Sequence, residues 1–202
     1  MTAEEFAQQL AERLAAAGVD PDAEAGVGAE PGVTVTVSGG QDFARGVVDV
    51  PAASWLDALR IARDELGLTY FDWLGAVDEL QDGFRIVVHL WSVPDRRGLL
   101  IRTLTPRENP SIPSVTSLFP GAAWHERETH EMFGVDFPGN DNLAPLLLAP
   151  EFEGEPLRKE FVLASRVAKP WPGAKEPGEG AGGTSKRAPM RPPGVPAPGE
   201  WG

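Results

Sequence analysis

The sequence predicts an α+β fold: a small, mainly antiparallel sheet with covering helices, followed by a helical motif and an extended, irregular C-terminal tail. Three observations carry this expectation. Short runs in which apolar and polar residues alternate recur between positions 33 and 105, each ended by turn residues, which is the pattern of strands joined by tight turns. Two segments instead repeat apolar residues every three or four positions, the helical period. From Lys169 the chain is low in complexity, with Pro170, Pro172, Pro177, Pro189, Pro192, Pro193, Pro196 and Pro198 set among glycines, a composition that cannot build a core.

The elements follow in order. Thr2 and Glu5 have capping-box spacing. Phe6, Leu10 and Leu14 form one narrow apolar stripe, and Gly18 is a stop signal. Asp20 to Gly32, rich in Gly, Pro and acids, reads as a linker. Val33, Val35 and Val37 alternate with Thr34, Thr36 and Ser38 as a half-buried strand, and Gly46 to Val50 gives a second strand before Pro51. A helix then runs to about Leu66 on Trp55, Leu59, Ala62 and Leu66, with Gly67 at its C-cap. Tyr70 to Val77 reads as a buried strand, and Trp55 and Trp73 as core residues. After a turn at Gln81-Asp82-Gly83, Phe84, Ile86, Val88 and Leu90 mark the apolar face of the next strand. Pro94 to Gly98 is another turn and Leu99 to Thr105 another strand. Pro110, Pro113 and Pro120 punctuate a short helical piece starting near Ser114, and a further helix is expected from Ala122 to Phe133, ended by Gly134. The domain reading is 1–32 for the N-terminal helix and linker, 33–165 for the α+β domain, and 166–202 for a tail that is mobile or partner-bound. No internal repeat is present.

Composition narrows the function. The 202 residues are 42% hydrophobic and 24% charged, ordinary for a globular protein. No apolar run approaches the roughly 20 residues that span a bilayer. The acidic start Met1-Thr2-Ala3-Glu4-Glu5 lacks the basic n-region of a secretory signal. The chain has no cysteine, which excludes disulfides, Cys-ligated zinc and Cys-ligated iron–sulfur clusters and fits a cytoplasmic protein. A net charge of -12 repels phosphate backbones and anionic lipid, so nucleic acid is not an expected partner. From Arg166 basic residues outnumber acidic ones, so the tail, with Trp171 between two prolines, could anchor on an acidic partner.

The densest polar cluster is Trp124-His125-Glu126-Arg127-Glu128-Thr129-His130-Glu131. A zinc-protease helix needs histidines at i and i+4. Here they stand at i and i+5, roughly 140° apart on a regular helix, and Glu126 with His130 supplies only two ligands. The plainer reading is a charge-paired, solvated helix in which Arg127 and Glu131 can meet, in the less favourable order. His89, alone in a strand, is read as structural. Ala25-Gly26-Val27-Gly28 lacks the third glycine and the helix of a dinucleotide site, and nothing marks a nucleophile elbow.

The run from Trp124 to Val135 resembles the signature of the C-subunit family of NADH-quinone oxidoreductases (respiratory complex I): Glu-Arg-Glu, two variable residues, an acid, two apolar residues and Gly. Ser114-Val115-Thr116-Ser117-Leu118-Phe119-Pro120 precedes it and Glu155-Pro156-Leu157-Arg158-Lys159-Glu160-Phe161 follows it as in that family. With Trp55 to Val77 and Phe84 to Ser92, the likeness covers residues 46 to 161. It implies a structural subunit of the hydrophilic arm of a proton-translocating complex, with no cofactor of its own and no catalytic activity in isolation. It also implies the D and B subunits as partners, which hold the quinone pocket, and iron–sulfur clusters and flavin on other partners. The location implied is the cytoplasmic side of the cell membrane, reached only through the complex. Trp124, Glu126, Arg127, Glu128, Glu131, Gly134, Pro156, Leu157, Arg158 and Lys159 become the expected docking residues.

The departures are specific. Glu131 stands where the family usually has Asp. Gly139-Asn140-Asp141-Asn142-Leu143-Ala144-Pro145 replaces a segment that usually ends in two arginines, and Ala or Pro cannot make a bidentate guanidinium contact. A divergent paralogue fits these changes. The alternatives are the equivalent subunit of a membrane-bound hydrogenase or other-donor complex, a free-standing binding module, or a metal-dependent hydrolase using His125, Glu126 and His130.

Overall fold

The structure, a computed structural model, describes residues 2–19, 32–40 and 43–161. Apart from Gly32, the linker expected at Asp20 to Gly32 lies outside the described residues, as do the Ala25 to Gly28 glycine pair and the tail with Trp171 and Trp201.

Helix α1 (Ala3–Ala16) begins at the expected capping box. Thr2 Oγ1 accepts from the Glu5 amide at 3.1 Å, and the Glu5 carboxylate accepts from the Thr2 amide at 2.7 Å. Phe6, Leu10 and Leu14 are buried. Each contributes about 1.5–3 kcal/mol, which holds a helix too short to persist alone. The helix packs on β1 (Thr34–Ser38) and β2 (Arg45–Asp49). A Cβ at Gly46 would stand 2.8 Å from both the Ala7 Cβ and Leu99 Cδ2, so only glycine admits this approach.

Strands β3 (Tyr70–Asp78), β4 (Phe84–Ser92) and β5 (Arg97–Thr105) complete a sheet of order β1-β2-β5-β4-β3. All neighbours are antiparallel except the parallel pair β2/β5, a register reached only by a crossover. That crossover contains α2 (Trp55–Asp64), β3 and β4. The register sets Val48, Ile101, Val88 and Leu74 in one row. They share a core with α1, with Trp55, Leu59 and Ala62 of α2, and with Met132 and Phe133 of α3 (Ala122–Phe133), so the described helices lie on one face of the sheet. On the other face Asp49 accepts from Arg85 and Arg102, and Arg85 also reaches Glu79.

Three expectations need correction. β3 is not a buried strand but an edge of the sheet. Trp73 is 38% exposed and not a core residue, whereas Trp55 is fully buried. An apolar run carries no signal of whether a second neighbour will flank it. Val37, on the five-residue edge strand β1, is exposed although Val33 and Val35 pack on the core. The helical piece expected near Ser114 is a turn in which Leu118 and Phe119 both donate to the Val115 carbonyl. Only six residues separate Pro113 from Pro120, too few to nucleate a helix between two breakers, and the Ser114 amide is already bonded to the Pro138 carbonyl.

Candidate functional site

Helix α3 stops where Gly134 turns left-handed at φ 70°. A Cβ there would also meet Arg158 Nη2 at 2.5 Å, so backbone angle and packing both require glycine. The helix was expected to be solvated, yet Ala122, Glu126, Thr129, Met132 and Phe133 are buried. Glu126 is 0% exposed. Its carboxylate accepts from the Val115 amide at 2.7 Å and from Ser114 Oγ and Asn140 Nδ2 at 2.8 Å each. Burial pushes this carboxyl above its ordinary range, although the donors from Val115, Asn140 and Ser114 oppose the shift.

The next turn of α3 holds the chain that follows it. Glu131 accepts from the successive amides of Leu146, Leu147 and Leu148 at 3.1, 2.9 and 2.8 Å. Burial raises its carboxyl, but those amides and the Arg127 charge outweigh it and leave it below the usual range. Among the described residues Arg127 makes no direct ion pair with Glu131 or the other acids of the run, although its charge is felt at Glu131. Its fork donates to the carbonyls of Ala144 and Pro145, both at 2.9 Å, and its plane stacks 5.4 Å from the Trp124 ring. Glu126 and Glu131 are satisfied by amides, a hydroxyl and a carboxamide instead, leaving the guanidinium for carbonyls.

A second cluster anchors the Glu155 to Phe161 segment. Arg158 donates to the Phe133 carbonyl at 2.7 Å, and the Leu157 amide to Met132. The Lys159 amide donates to Asp78 at 2.8 Å. Asp78 also accepts from the Leu80 amide and from Arg107, both at 2.8 Å, and Arg107 in turn contacts Glu160. Burial pushes the Asp78 carboxyl up, but Arg107 and the two amides overcome it and bring the pKa to about 2. Both Arg107 and Arg158 stack over Phe84, 5.1 and 5.0 Å from its centroid.

The ten expected docking residues therefore divide. Glu126, Arg127, Glu131, Gly134 and Arg158, with the Lys159 backbone, are engaged inside the fold, and Pro156 is half-buried. Trp124 (62% exposed), Glu128, Leu157 and the Lys159 side chain face outward. His125 packs edge-on against Phe71 at 5.4 Å, and His130 Nδ1 lies 2.8 Å from the Val135 carbonyl. Among the described residues no three His, Cys, Asp or Glu side chains are placed to hold a metal ion. Sequence reasoning missed Asp78, Arg107, Ser114 and Asn140. Their long-range partners lie 12 to 81 positions away, and no local spacing reports such pairs.

Arg127→Ala should free the loop from Asn140 to Leu148 and lower stability by about 1–2 kcal/mol, the scale of a few partly exposed charge-assisted bonds. Arg127→Lys should recover less than half, since an ammonium lacks the fork. Urea unfolding and cleavage within that loop report both. Parent-like resistance of Arg127→Ala would refute the strap role.

Known proteins share this arrangement of sequence and fold. Residues 48–167 match the family described as respiratory-chain NADH dehydrogenase, 30 Kd subunit. A protein of Roseiflexus sp., named as the C subunit of NADH-quinone oxidoreductase, is 40% identical over 114 residues, 54% of this chain. The match spans 66% of that relative, just under two thirds of its length. A Pseudomonas fluorescens protein, named as the C/D subunit of NADH-quinone oxidoreductase, is 40% identical over 39% of this chain and 13% of its own length. Among solved structures, a chain of the membrane-bound sulfane sulfur reductase, an archaeal respiratory membrane complex, is similar at TM-score 0.61 and 28% identity, covering 79% of this chain and 85% of that one.

Proposed function

Since the chain belongs to the family of the 30 kDa subunit of respiratory-chain NADH dehydrogenase, we propose that it is a structural subunit of the hydrophilic arm of an NADH-quinone oxidoreductase. It carries no redox group and supports electron transfer to quinone on its neighbours. The observation that carries this reading is how the family-signature residues are used. Glu126, Arg127, Glu131 and Arg158 are bonded to the protein's own backbone and neighbouring side chains, so these signature residues hold the fold together rather than facing a substrate. The absence of cysteine removes the usual ligands of an iron–sulfur cluster. The partners proposed are the D and B subunits that form the quinone pocket, and a relative whose name joins C to D supports the first. Among the described residues no helix is long and apolar enough to cross a membrane, so membrane contact is proposed to come through the complex. The likeness to the sulfane sulfur reductase chain supports a second reading, the equivalent subunit in a complex with another electron donor.

Trp124 and Glu128, outward on α3, are the proposed contact residues. An exposed Trp capped by an arginine has the composition of an interface hot spot, where truncation removes about 2 kcal/mol of binding, roughly thirtyfold. Trp124→Ala with Glu128→Lys should cut retention of the tagged chain in the purified complex by about that factor, with the fold retained and the melting temperature lowered only by the loss of the Arg127 stack. Full retention would remove α3 from the interface.

A further inference from the structure

At the end of the sheet opposite Asp78 and Phe84, β2 and β5 begin and β4 ends. A cleft of about 140 Å³ lies there against the first turn of α1. Its lining includes Arg45, Arg96, Arg97, Trp91, Phe6 and Gly98, and no acidic residue. In a chain of net charge -12 this is an unusual concentration of cations. The guanidinium of Arg45 stacks 5.2 Å from the Trp91 ring, and that of Arg97 stacks 5.2 Å from Phe6, which fixes the direction of each fork.

Seven other arginines pair with carboxylates. Arg45 and Arg96 have no carboxylate partner among the described residues; Arg45 donates only to the Ala44 carbonyl next to it. Arg97 is engaged within the fold, through Phe6 and the Asp95 carbonyl. Among the described acids, Glu5 accepts from the Thr2 amide, Asp49 from Arg85 and Arg102, and Asp95 from the Ser92 hydroxyl. The charge offered to a ligand is therefore that of Arg45 and Arg96. Two positions before Arg45 in the sequence, Phe43 is 74% exposed, and Val93 is exposed on the same turn as Arg96.

We infer that this cleft is a second protein-docking site, receiving an acidic segment that also carries an apolar residue from a neighbouring protein. The two forks would take carboxylates bidentately, and Phe43 would cover the apolar side chain. An aromatic residue beside arginines is the composition of a protein contact, and a small free anion would leave Phe43 without a role. The inference is independent of the α3 surface and of the identity of the complex.

The test is fluorescence anisotropy on the full chain with a short labelled peptide of glutamates and leucines, beside the same peptide with glutamines. The acidic peptide should bind and weaken as salt rises; the glutamine peptide should not bind. Arg45→Gln with Arg96→Gln should weaken binding by about tenfold or more, and Phe43→Ala by several-fold. Arg96→Gln alone, at an exposed turn position, keeps the test valid if the double variant fails to fold; it should lose about threefold. Equal binding of both peptides, or parent-like binding by the arginine variants, would overturn the inference. Displacement of the peptide by an equal concentration of inorganic phosphate would also overturn it, by assigning the cleft to a free anion.

Discussion

Glu126→Ala is expected to destabilise the protein by about 3–5 kcal/mol, from buried donors left without an acceptor together with the cavity left by the side chain. The change leaves the Val115 amide, the Ser114 hydroxyl and the Asn140 carboxamide without their shared acceptor, and it opens a cavity at a fully buried position. Glu126→Gln keeps the volume but replaces one acceptor oxygen with a donor facing other donors, so it should lose about 1–3 kcal/mol. The pH dependence has a definite sign. Burial holds this carboxyl above its unfolded value, so the folded state binds its proton more tightly than the unfolded state does. Its contribution is full below the unfolded pKa, about 4.3, and declines as pH rises through the folded pKa. The stability gap between parent and Glu126→Gln should therefore narrow from acid toward neutral pH. Urea denaturation across that range measures it; a gap that widens would mean that the site prefers the ionised form.

Asp78→Ala should be comparably severe, about 3–5 kcal/mol. It takes from Arg107 its buried carboxylate, leaving the exposed Glu160, and releases the Lys159 amide, so the Glu155 to Phe161 segment loses its hold on β3. Here the sign is opposite. With a folded pKa of about 2, below the unfolded 3.9 or so, the stabilisation is present above the unfolded value and disappears as pH falls from about 4 through about 2. Asp78→Asn should be nearly flat in that window where the parent declines steeply. Two buried carboxylates with opposing slopes give each role its own signature in acid titrations of stability. A parent whose stability stays level between pH 4 and 2 would contradict the Asp78 assignment.

Local signals were legible in the sequence, and long-range ones were not. The capping box at Thr2 and Glu5, the period of Phe6, Leu10 and Leu14, and the stop at Gly134 place α1 and α3 at their observed bounds. Each depends on residues within a turn or two of each other. The alternation from Phe84 to Leu90 gave the core face of β4 correctly. The same reasoning buried Trp73, because hydrophobic pattern cannot reveal that β3 has a neighbour on one side only. It also took the acids of α3 for surface charge. Glu126 looks like any helix acid until Ser114 and Asn140, 12 residues before it and 14 after, fold back onto it. The resemblance pointed to this stretch of chain but treated its residues alike. The geometry separates Glu126, Glu131 and Arg158, which hold the fold, from Trp124 and Glu128, which face outward.

The role proposed for this chain is to organise a redox complex without performing its chemistry. The direct measurement is NADH:quinone reductase activity, taken on the isolated full chain and on membranes depleted of the corresponding subunit, with the chain added back. No turnover by the chain alone and restored turnover in the membranes are expected. NADH-dependent quinone reduction by the isolated chain, or no recovery when a fully folded chain is added to the depleted membranes, would contradict that role.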